Sequence, residues 1–418
     1  MFLDGTAREE VKRVTRLFIV ADDITGANDT GVQLARRGID TVVTLDASAV
    51  GAQPKSYVLD TESRALPGSE AFAAIEQQTK SIDFSAFSHV VKKIDSTLRG
   101  SVAHEVLATD KSCGSDLVVF MPAFPNMGRT TESGVHMLNG KRVTETEIAR
   151  DPKTPVKEDN LRSILKSVYS EEVTHIGVKE IEDSRVDFGT GRVFTFDATT
   201  NKHMEVVVLA ALKSGRKKIL WVGSAGIVDS LMNVIEPQYP ALAVVASVSE
   251  TSREQVRYAE RNGAALVLIS WRDLFMGEYS SYADRAVQAI KEGKDVVLAS
   301  VACFDRAELD QSQVEGEKMG LSSVSVSRKI QADIGKIAVD VVSRTNVSGV
   351  FLTGGDTAMG FFDQLGVRSF NIIAEVLIGI PLMKIVGTSF DGVKVITKAG
   401  AFGKEDAISY CLRKVKER

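Results

Sequence analysis

Two neighbouring aspartates close the first apolar run of the chain. Phe18–Ala21 is typical of a short strand buried on both faces, and Asp22 and Asp23 follow it directly. Ligands of open α/β sheets bind beyond the carboxyl ends of the strands. The pair therefore offers two carboxylates to such a crevice, the alternative being that both are ordinary turn and capping residues. We expect Thr25 to cap a following helix that stops at Gly38.

Further charged and hydroxyl side chains close the next predicted strands, at 57–60 and 89–94. Cations can bind the carboxylate of a small hydroxy acid, while aspartate oxygens accept hydrogen bonds from its hydroxyls. The alternative is surface charge at loop ends. We therefore predict a binding site for a small hydroxy acid, made by Asp22, Asp23, Arg64, Lys92, Lys93, Asp95, Ser96, Thr97 and Arg99, with Arg129 as a further candidate.

A second group of candidates has the composition of anion-binding turns. A predicted strand at 350–352 runs into a glycine turn at 353–357, and a second glycine turn at 398–403 precedes the last helix. Backbone amides in such turns hold phosphate oxygens, aided by the helix dipole. Such loops often need glycine anyway, so the presence of two turns in one domain carries the argument. The predicted cofactor-binding residues are Ser247, Gly354, Gly355, Asp356, Thr357, Gly400 and Gly403.

Alternating strands and helices position both groups of residues. This alternation predicts doubly wound, mostly parallel sheets. The alternation is interrupted at 236–240, where two prolines give a stiff connection. We therefore expect two doubly wound α/β domains, at 1–236 and 241–418, with the site in the cleft between them. Residues 122–157 break the alternation and are predicted to carry a hairpin with an Asn139-Gly140 turn.

Composition excludes several classes of protein. A length of 418 residues with 44% hydrophobic residues fits two globular domains. A net charge of −4 argues against nucleic acid as a partner, and no apolar run is long enough to span a membrane. Three scattered cysteines indicate a reducing cytoplasm. No P-loop, dinucleotide fingerprint or zinc spacing occurs.

These stretches together resemble the four-carbon acid sugar kinase family. The matching segments follow the family's order across nearly the whole chain. They are ADDITGANDTG at 21–31, KKIDSTLRG at 92–100, MPAFP at 121–125, GR at 128–129, TGGDTA at 353–358 and KAGAFG at 398–403. Ala401 departs from the polar residue expected between the glycines, so no nucleotide contact from a polar side chain is expected at this position. The first two segments look closer to the D-threonate branch than to the ketotetronate branch.

The resemblance implies an ATP-dependent kinase that phosphorylates the 4-hydroxyl of D-threonate or D-erythronate. The N-terminal domain would bind the sugar acid, and the C-terminal domain would bind ATP with Mg²⁺. Asp95 and Asp356 are the expected catalytic residues, with Asp356 acting as base or as metal partner, and the metal ligands stay open. The expected partners are the sugar acid and ATP, without nucleic acid or membrane, and a homodimer is left open. The alternatives are a nicotinamide-dependent oxidoreductase of a small hydroxy acid and a non-catalytic sensor of a sugar acid or nucleotide.

Overall fold

The chain divides after Pro237 into two units, and each contains a mainly parallel sheet of its own. The computed structural model describes residues 15–51 and 53–417. Strands in the middle of each sheet are buried along their whole length, because apolar helices cover both sheet faces. The two predicted doubly wound α/β domains are confirmed by this architecture.

The N-terminal unit alternates strands and helices over most of its length. Its elements are β1 Leu17–Ala21, α1 Ile24–Arg36, β2 Thr41–Thr44, β3 Ser56–Asp60, α2 Gly68–Thr79, β4 His89–Lys93, α3 Val102–Cys113, β5 Leu117–Phe120, β6 Arg129–Glu132, β7 Val135–Leu138, β8 Lys141–Arg142, α4 Leu161–Lys166, β9 Val173–Ile176, α5 Val178–Glu182, β10 Val193–Phe196, α6 Asn201–Lys213, β11 Ile219–Gly223 and α7 Ala225–Ile235. An eight-stranded parallel sheet has the order β2-β3-β1-β4-β11-β5-β10-β9. The carboxyl ends of β3, β1 and β4 are therefore neighbours.

The predicted hairpin is present in the excursion between β5 and α4. Strands β6, β7 and β8 form a small antiparallel sheet. Its β7–β8 turn has positive φ at both central residues, 50° at Asn139 and 77° at Gly140. That combination suits an Asn-Gly turn between twisted strands. Paired backbone hydrogen bonds of 3.0 Å between Thr131 and Ala198 attach the hairpin to the rest of the unit.

The C-terminal unit repeats the alternation and then departs from it at one edge of the sheet. Its elements are β12 Leu242–Val245, α8 Glu250–Arg261, β13 Ala265–Ile269, α9 Trp271–Met276, α10 Ser280–Lys291, β14 Val296–Ser300, α11 Arg306–Lys318, α12 Ser323–Arg344, β15 Val350–Thr353, α13 Gly355–Leu365, β16 Ser369–Leu377, β17 Ile380–Val386, β18 Lys394–Lys398 and α14 Ala407–Lys416. The seven-stranded sheet has the order β13-β14-β12-β15-β18-β17-β16, with antiparallel pairs only at β18-β17 and β17-β16. The carboxyl ends of β12, β15 and β18 are neighbours.

The cap of α1 differs from the prediction. Asp23, and not Thr25, is the N-cap residue, and its side chain accepts a hydrogen bond of 2.8 Å from the Gly26 amide. Asp23 has extended backbone angles, as an N-cap residue requires, while Thr25 already lies inside the helix. The helix ends at Arg36, and Gly38 follows with a φ of 73°. One predicted site residue therefore also fixes the start of α1.

Candidate active site

A pocket of about 370 Å³ lies where the carboxyl ends of β3, β1 and β4 meet. We call it the polar pocket. Six of its lining residues belong to the predicted hydroxy-acid site, namely Asp23, Arg64, Lys93, Asp95, Ser96 and Arg99. Neighbouring parallel strands end at the same edge of the sheet, which is why residues distant in sequence gather here.

Arg64 holds the two neighbouring aspartates together. Its Nε donates to Asp22 at 2.8 Å, and its Nη2 donates to Asp22 at 3.0 Å and to Asp23 at 2.7 Å. Its Nη1 donates to Asp23 at 2.5 Å. Burial alone would lower the pKa of Arg64, but hydrogen bonds and charge from Asp22, with charge from Asp95 and Asp23, raise it above its ordinary value. The guanidinium is therefore permanently charged, and most of its donors are already used.

Asp95 is held as a carboxylate by residues of its own loop. It accepts hydrogen bonds from Arg99 Nη2 at 2.8 Å, Arg99 Nε at 3.1 Å and the Thr97 amide at 3.0 Å. Burial would raise the pKa of Asp95, yet the hydrogen bonds from Arg99 and Thr97 and the charge of Arg64 lower it well below its usual range. A carboxylate with so low a pKa is a weak base. The surroundings of Asp95 therefore suit orienting a substrate hydroxyl better than removing its proton.

The Asp95 loop keeps its shape through an unusual backbone. Leu98 has a φ of 66° and Gly100 a φ of 98°. A branched residue rarely takes positive φ, because its Cβ approaches the backbone too closely. Leu98 is nevertheless buried in the apolar cluster around α3, and this burial stabilises the strained turn. The turn returns Arg99 to Asp95, which it pairs at 2.8 Å.

Two adjacent lysines of β4 face opposite sides of the sheet. Lys93 faces the polar pocket, is 4% exposed and donates to the Ile94 carbonyl at 3.0 Å. Burial lowers the pKa of Lys93, opposed by charges including those of Asp22 and Asp95. Lys92 lies outside the pocket, fully buried in an ion pair of 2.8 Å with Glu105 of α3. This placement corrects the expectation that Lys92 binds the ligand directly, and its cause is the two-residue repeat of a strand.

Other predicted residues lie beneath the pocket and do not line it. Asp22 is 1% exposed and Thr97 is 4% exposed. Asp22 supports Arg64, and Thr97 supports Asp95. Both therefore shape the site from behind instead of offering atoms to a ligand.

The pocket also contains residues outside the predicted set. These are Thr25, Gly26, Asp29, Phe124, Met127 and Ala225, together with the further candidate Arg129. Asp29 belongs to the first segment of the family resemblance, so the sequence contained a signal for it. Phe124 belongs to the segment of the resemblance at 121–125, whereas no local pattern distinguishes Met127 and Ala225 from other apolar positions.

The two predicted glycine turns, after β15 and β18, lie beside the serine-containing turn that carries Ser247 after β12. The Gly354 amide donates to the Lys398 carbonyl at 2.7 Å. Ser249 and Ser252 Oγ donate to the Gly400 carbonyl at 3.2 and 3.0 Å. A Cβ on Gly400 would come within 2.7 Å of Ser247 Oγ. We call 354–357 and 399–403 the glycine turns.

The first glycine turn presents backbone to solvent at the start of α13. Gly354 precedes the helix with a φ of 95°, where a side chain would be strained. Gly355 and Asp356 are exposed, and a Cβ on Gly355 would meet no atom within 4 Å. Thr357, by contrast, is 2% exposed, so it packs inward from the turn. The helix N-terminus and the open glycine form a place where an anion can approach backbone amides.

Lys398 supports the second glycine turn from below. Its Nζ donates to the carbonyls of Ala399 at 2.9 Å, Gly400 at 3.0 Å and Phe402 at 3.0 Å. Burial lowers the pKa of Lys398 to about 8. Gln255 adds hydrogen bonds to the carbonyls of Phe402 and Gly403. Because the carbonyls point toward Lys398 and Gln255, their orientation is fixed before any ligand binds.

Among residues 15–51 and 53–417, no group of three or more His, Cys, Asp or Glu side chains has a geometry that could hold a metal ion. Across the same residues, no helix is long and apolar enough to cross a membrane.

Comparisons with known proteins match both units of the chain to described domains. The chain matches the family models of a sugar-binding N-terminal domain at residues 17–231 and a nucleotide-binding C-terminal domain at residues 242–408. A D-threonate kinase of Salmonella typhimurium is 31% identical, over 96% of this chain and 99% of its own length. A D-erythronate kinase of Heliobacterium modesticaldum is 27% identical, over 96% and 97% respectively.

A solved structure resembles the fold of nearly the whole chain. It is a crystal structure from Bordetella bronchiseptica, described as a domain of unknown function with bound citrate in a domain-swapped dimer. The TM-score is 0.60 at 26% identity, over 96% of this chain and 99% of that chain.

Proposed function

Since this chain belongs to the four-carbon acid sugar kinase family, we propose that it transfers the terminal phosphoryl group of ATP to the 4-hydroxyl of D-threonate or D-erythronate. The observation that carries the proposal is the polar pocket, where cations and aspartates face a small volume. That mixture suits a ligand that has both a carboxylate and hydroxyl groups. Matches to kinases over nearly the full length support the same reaction.

In the proposed reaction, the substrate oxygen forms a bond to the terminal phosphorus of ATP while the bond from that phosphorus to ADP breaks. The hydroxyl proton leaves for solvent or for a protein base. Catalysis of this transfer consists mainly of positioning and charge stabilisation. Asp23 and Asp95 would accept hydrogen bonds from the sugar hydroxyls. The charge of Lys93 would oppose the negative charge of the incoming phosphates.

The glycine turns are the proposed place for the ATP phosphates. Their amides, the N-terminus of α13 and the exposed Gly355 allow close approach of phosphate oxygens. Asp356 is exposed at the start of α13 and makes no side-chain hydrogen bond or ion pair with the described residues. A free carboxylate of this kind fits Mg²⁺, which binds few protein carboxylates and keeps phosphate and water ligands. The alternative role of Asp356 as the base stays open.

Three accompanying predictions remain proposals. A cytoplasmic location follows from the cysteine pattern alone. The expectation that the two domains enclose the site between them stays a prediction. A homodimer is worth testing because the Bordetella structure is described as a domain-swapped dimer.

The proposed function can be tested with ATP, Mg²⁺ and a panel of acids, with release of ADP as the readout. We expect turnover with D-threonate or D-erythronate and little with glucose. Phosphorus NMR of the product should show a phosphate ester on the terminal carbon. ADP release with glucose and none with the tetronates would contradict the proposal. Reduction of a nicotinamide cofactor by the same acids would instead favour the oxidoreductase.

A further inference from the structure

Most cations around the polar pocket already have anionic partners. Arg64 donates to Asp22 and Asp23, as described above. Arg99 pairs with Asp95 at 2.8 Å and with Asp151 at 3.4 Å. A new carboxylate would have to compete with these contacts for the same donors.

Arg129 is the exception among the pocket arginines. Its Nη1 donates to the Met127 carbonyl, and its buried Nε has no hydrogen-bond acceptor among the described residues. No carboxylate in the described part of the chain lies within 4.0 Å of its guanidinium. Arg129 therefore brings to the pocket wall a positive charge whose donors are largely unused.

Lys93 is a weaker candidate for an incoming carboxylate. Its charge is stabilised by nearby Asp22, Asp95 and Asp29, and burial lowers its pKa. It is also a point donor, whereas a guanidinium offers two parallel N–H groups that match the two oxygens of a carboxylate. The geometry therefore favours Arg129 for this task.

The backbone that carries Arg129 is held firmly against the sheet. Arg129 exchanges backbone hydrogen bonds with Phe124, at 2.8 and 3.2 Å. Two residues later, Thr131 exchanges hydrogen bonds of 3.0 Å with Ala198. A guanidinium on such a fixed strand loses less freedom on binding than one on a mobile loop.

The same hairpin is tied to the pocket loop by His136. Its Nε2 lies 2.9 Å from the Ser96 carbonyl, and its Nδ1 lies 3.1 Å from Thr131 Oγ1. Because a carbonyl only accepts, Nε2 carries the proton, and Nδ1 accepts from the Thr131 hydroxyl. His136 is fully buried, and burial lowers its pKa to about 4, so the neutral form persists. The distance between Arg129 and the Asp95–Ser96 wall is thus set by the fold.

We propose that Arg129 binds the carboxylate of the sugar acid and so makes the enzyme select acids over their uncharged analogues. The proposal rests on the proposed kinase function and adds a specificity-determining residue to it. The small β6–β7–β8 sheet, which carries Arg129 and interrupts the regular alternation of the N-terminal unit, would then select substrates by their charge. The rest of the pocket would read the hydroxyl groups.

The test compares D-threonate with D-threonamide, in which a neutral amide replaces the carboxylate. The quantity of interest is the ratio of kcat/KM for the acid to kcat/KM for the amide. In Arg129→Gln this ratio should fall by about a hundredfold, because a charge-assisted bidentate contact is lost. The kcat/KM for the amide itself should change little. Arg129→Lys should give an intermediate ratio, because it keeps the charge but not the paired donors.

Arg150→Gln is the matched control. It removes the same charge from an exposed position of the same excursion that does not line the pocket. Its acid-to-amide ratio should equal that of the wild type. Thermal melts of all variants establish that they are folded.

The outcomes separate this proposal from the proposed function. An equal loss on acid and amide in Arg129→Gln would overturn the carboxylate assignment and indicate a role toward the phosphates of ATP. If the wild type turns over neither compound, the kinase function fails. In that case, calorimetric titration of D-threonate into the wild type, Arg129→Gln and Arg150→Gln tests whether Arg129 binds the carboxylate. Binding that is lost in Arg129→Gln and kept in Arg150→Gln supports the assignment, whereas equal binding in both overturns it.

Discussion

The polar pocket and the glycine turns are built from different parts of the chain. In the polar pocket, charged side chains satisfy one another, as Arg64 does with Asp22 and Asp23. In the glycine turns, the surface offered to a ligand is backbone, and its supporting side chains lie behind it, as Lys398 does. Both groups of residues follow the carboxyl ends of parallel strands. The same sheet architecture therefore positions a site made of side chains in one unit and a site made of backbone in the other.

This difference indicates where each site is vulnerable. A side-chain network fails when one partner is removed, because the remaining charges are left buried without compensation. A backbone site tolerates the loss of most neighbouring side chains but fails when a Cβ occupies the space of the ligand. The following predictions test that contrast.

We expect Arg64→Met to have the largest effect, on both the stability of the N-terminal unit and the turnover of D-threonate. Asp22 is 1% exposed and would lose its main partner, which costs about 3–5 kcal/mol in the free energy of unfolding. The N-terminal unit should melt at a temperature lower by on the order of 10 °C, and turnover of D-threonate should be nearly lost. Scanning calorimetry and the ADP-release assay measure both changes. Arg185→Met, at a side chain that is 62% exposed, is the control and should change neither.

A melting temperature close to that of the wild type in Arg64→Met would contradict this view of the pocket. It would mean that water or a rearranged lysine compensates the two aspartates. The pocket would then be adaptable instead of fixed, and the contrast with the glycine turns would disappear.

Gly355→Val should have the next largest effect, on nucleotide binding. A Cβ at this position meets no protein atom within 4 Å, so the folded chain can accept the valine. It would instead occupy the space through which phosphate approaches the turn. We expect ADP affinity to fall by at least about tenfold, or about 1.4 kcal/mol, measured by calorimetric titration.

Ser323→Val is the control for Gly355→Val. It places the same branched side chain at an exposed helix start of the same unit, in α12. ADP should bind to it as tightly as to the wild type. If Gly355→Val remained folded and bound ADP as tightly as this control, the first glycine turn would not be the phosphate site.

The smallest expected effect is the pH dependence of stability and of ADP affinity that comes from Lys398. Its pKa of about 8 lies below the ordinary 10.5, so the amine loses its proton in the folded chain over a range where the unfolded chain keeps it. For this group, the free energy of unfolding therefore rises with pH between about 8 and 10.5. Loss of the charge and of one donor should at the same time weaken the support of the second glycine turn. We expect ADP affinity to fall modestly as the pH passes 8.

Titration of ADP at pH 7 and pH 9 measures this change. Lys398→Arg keeps its charge over the whole range, so its ADP affinity should not depend on pH in the same way. An equal fall in Lys398→Arg and in the wild type would assign the pH dependence to another group.

The sequence predicted the framework of both sites but not the direction of individual side chains. Asp22 and Asp23 follow a buried strand, and together with the charged residues that close the next two predicted strands they predicted a site at this edge of the sheet. For Lys92 and Lys93, strand periodicity requires opposite faces but does not say which face holds the site, because helices cover both. Asp23 and Thr25 are both good N-cap residues, and only the backbone angles decide between them.

Contacts between residues far apart in the sequence could not be predicted from local patterns. The Asn139-Gly140 turn predicted the hairpin, since it depends on local backbone angles. The contact of His136 with Ser96 joins residues 40 positions apart, and no local pattern indicates it. The sequence pattern does not predict the antiparallel strands β16 and β17 either. Several apolar side chains of β16 are exposed, including Ile372, so its pattern does not resemble that of a buried strand.

In the proposed division of labour, the N-terminal unit binds the acid and the C-terminal unit binds the nucleotide. Crossed calorimetric titrations test it most directly, with ADP titrated into Arg64→Met and D-threonate titrated into Gly355→Val. We predict that each variant binds the ligand of its intact unit with wild-type affinity. Loss of ADP binding in a folded Arg64→Met, or of D-threonate binding in a folded Gly355→Val, would contradict the assignment of the two sites.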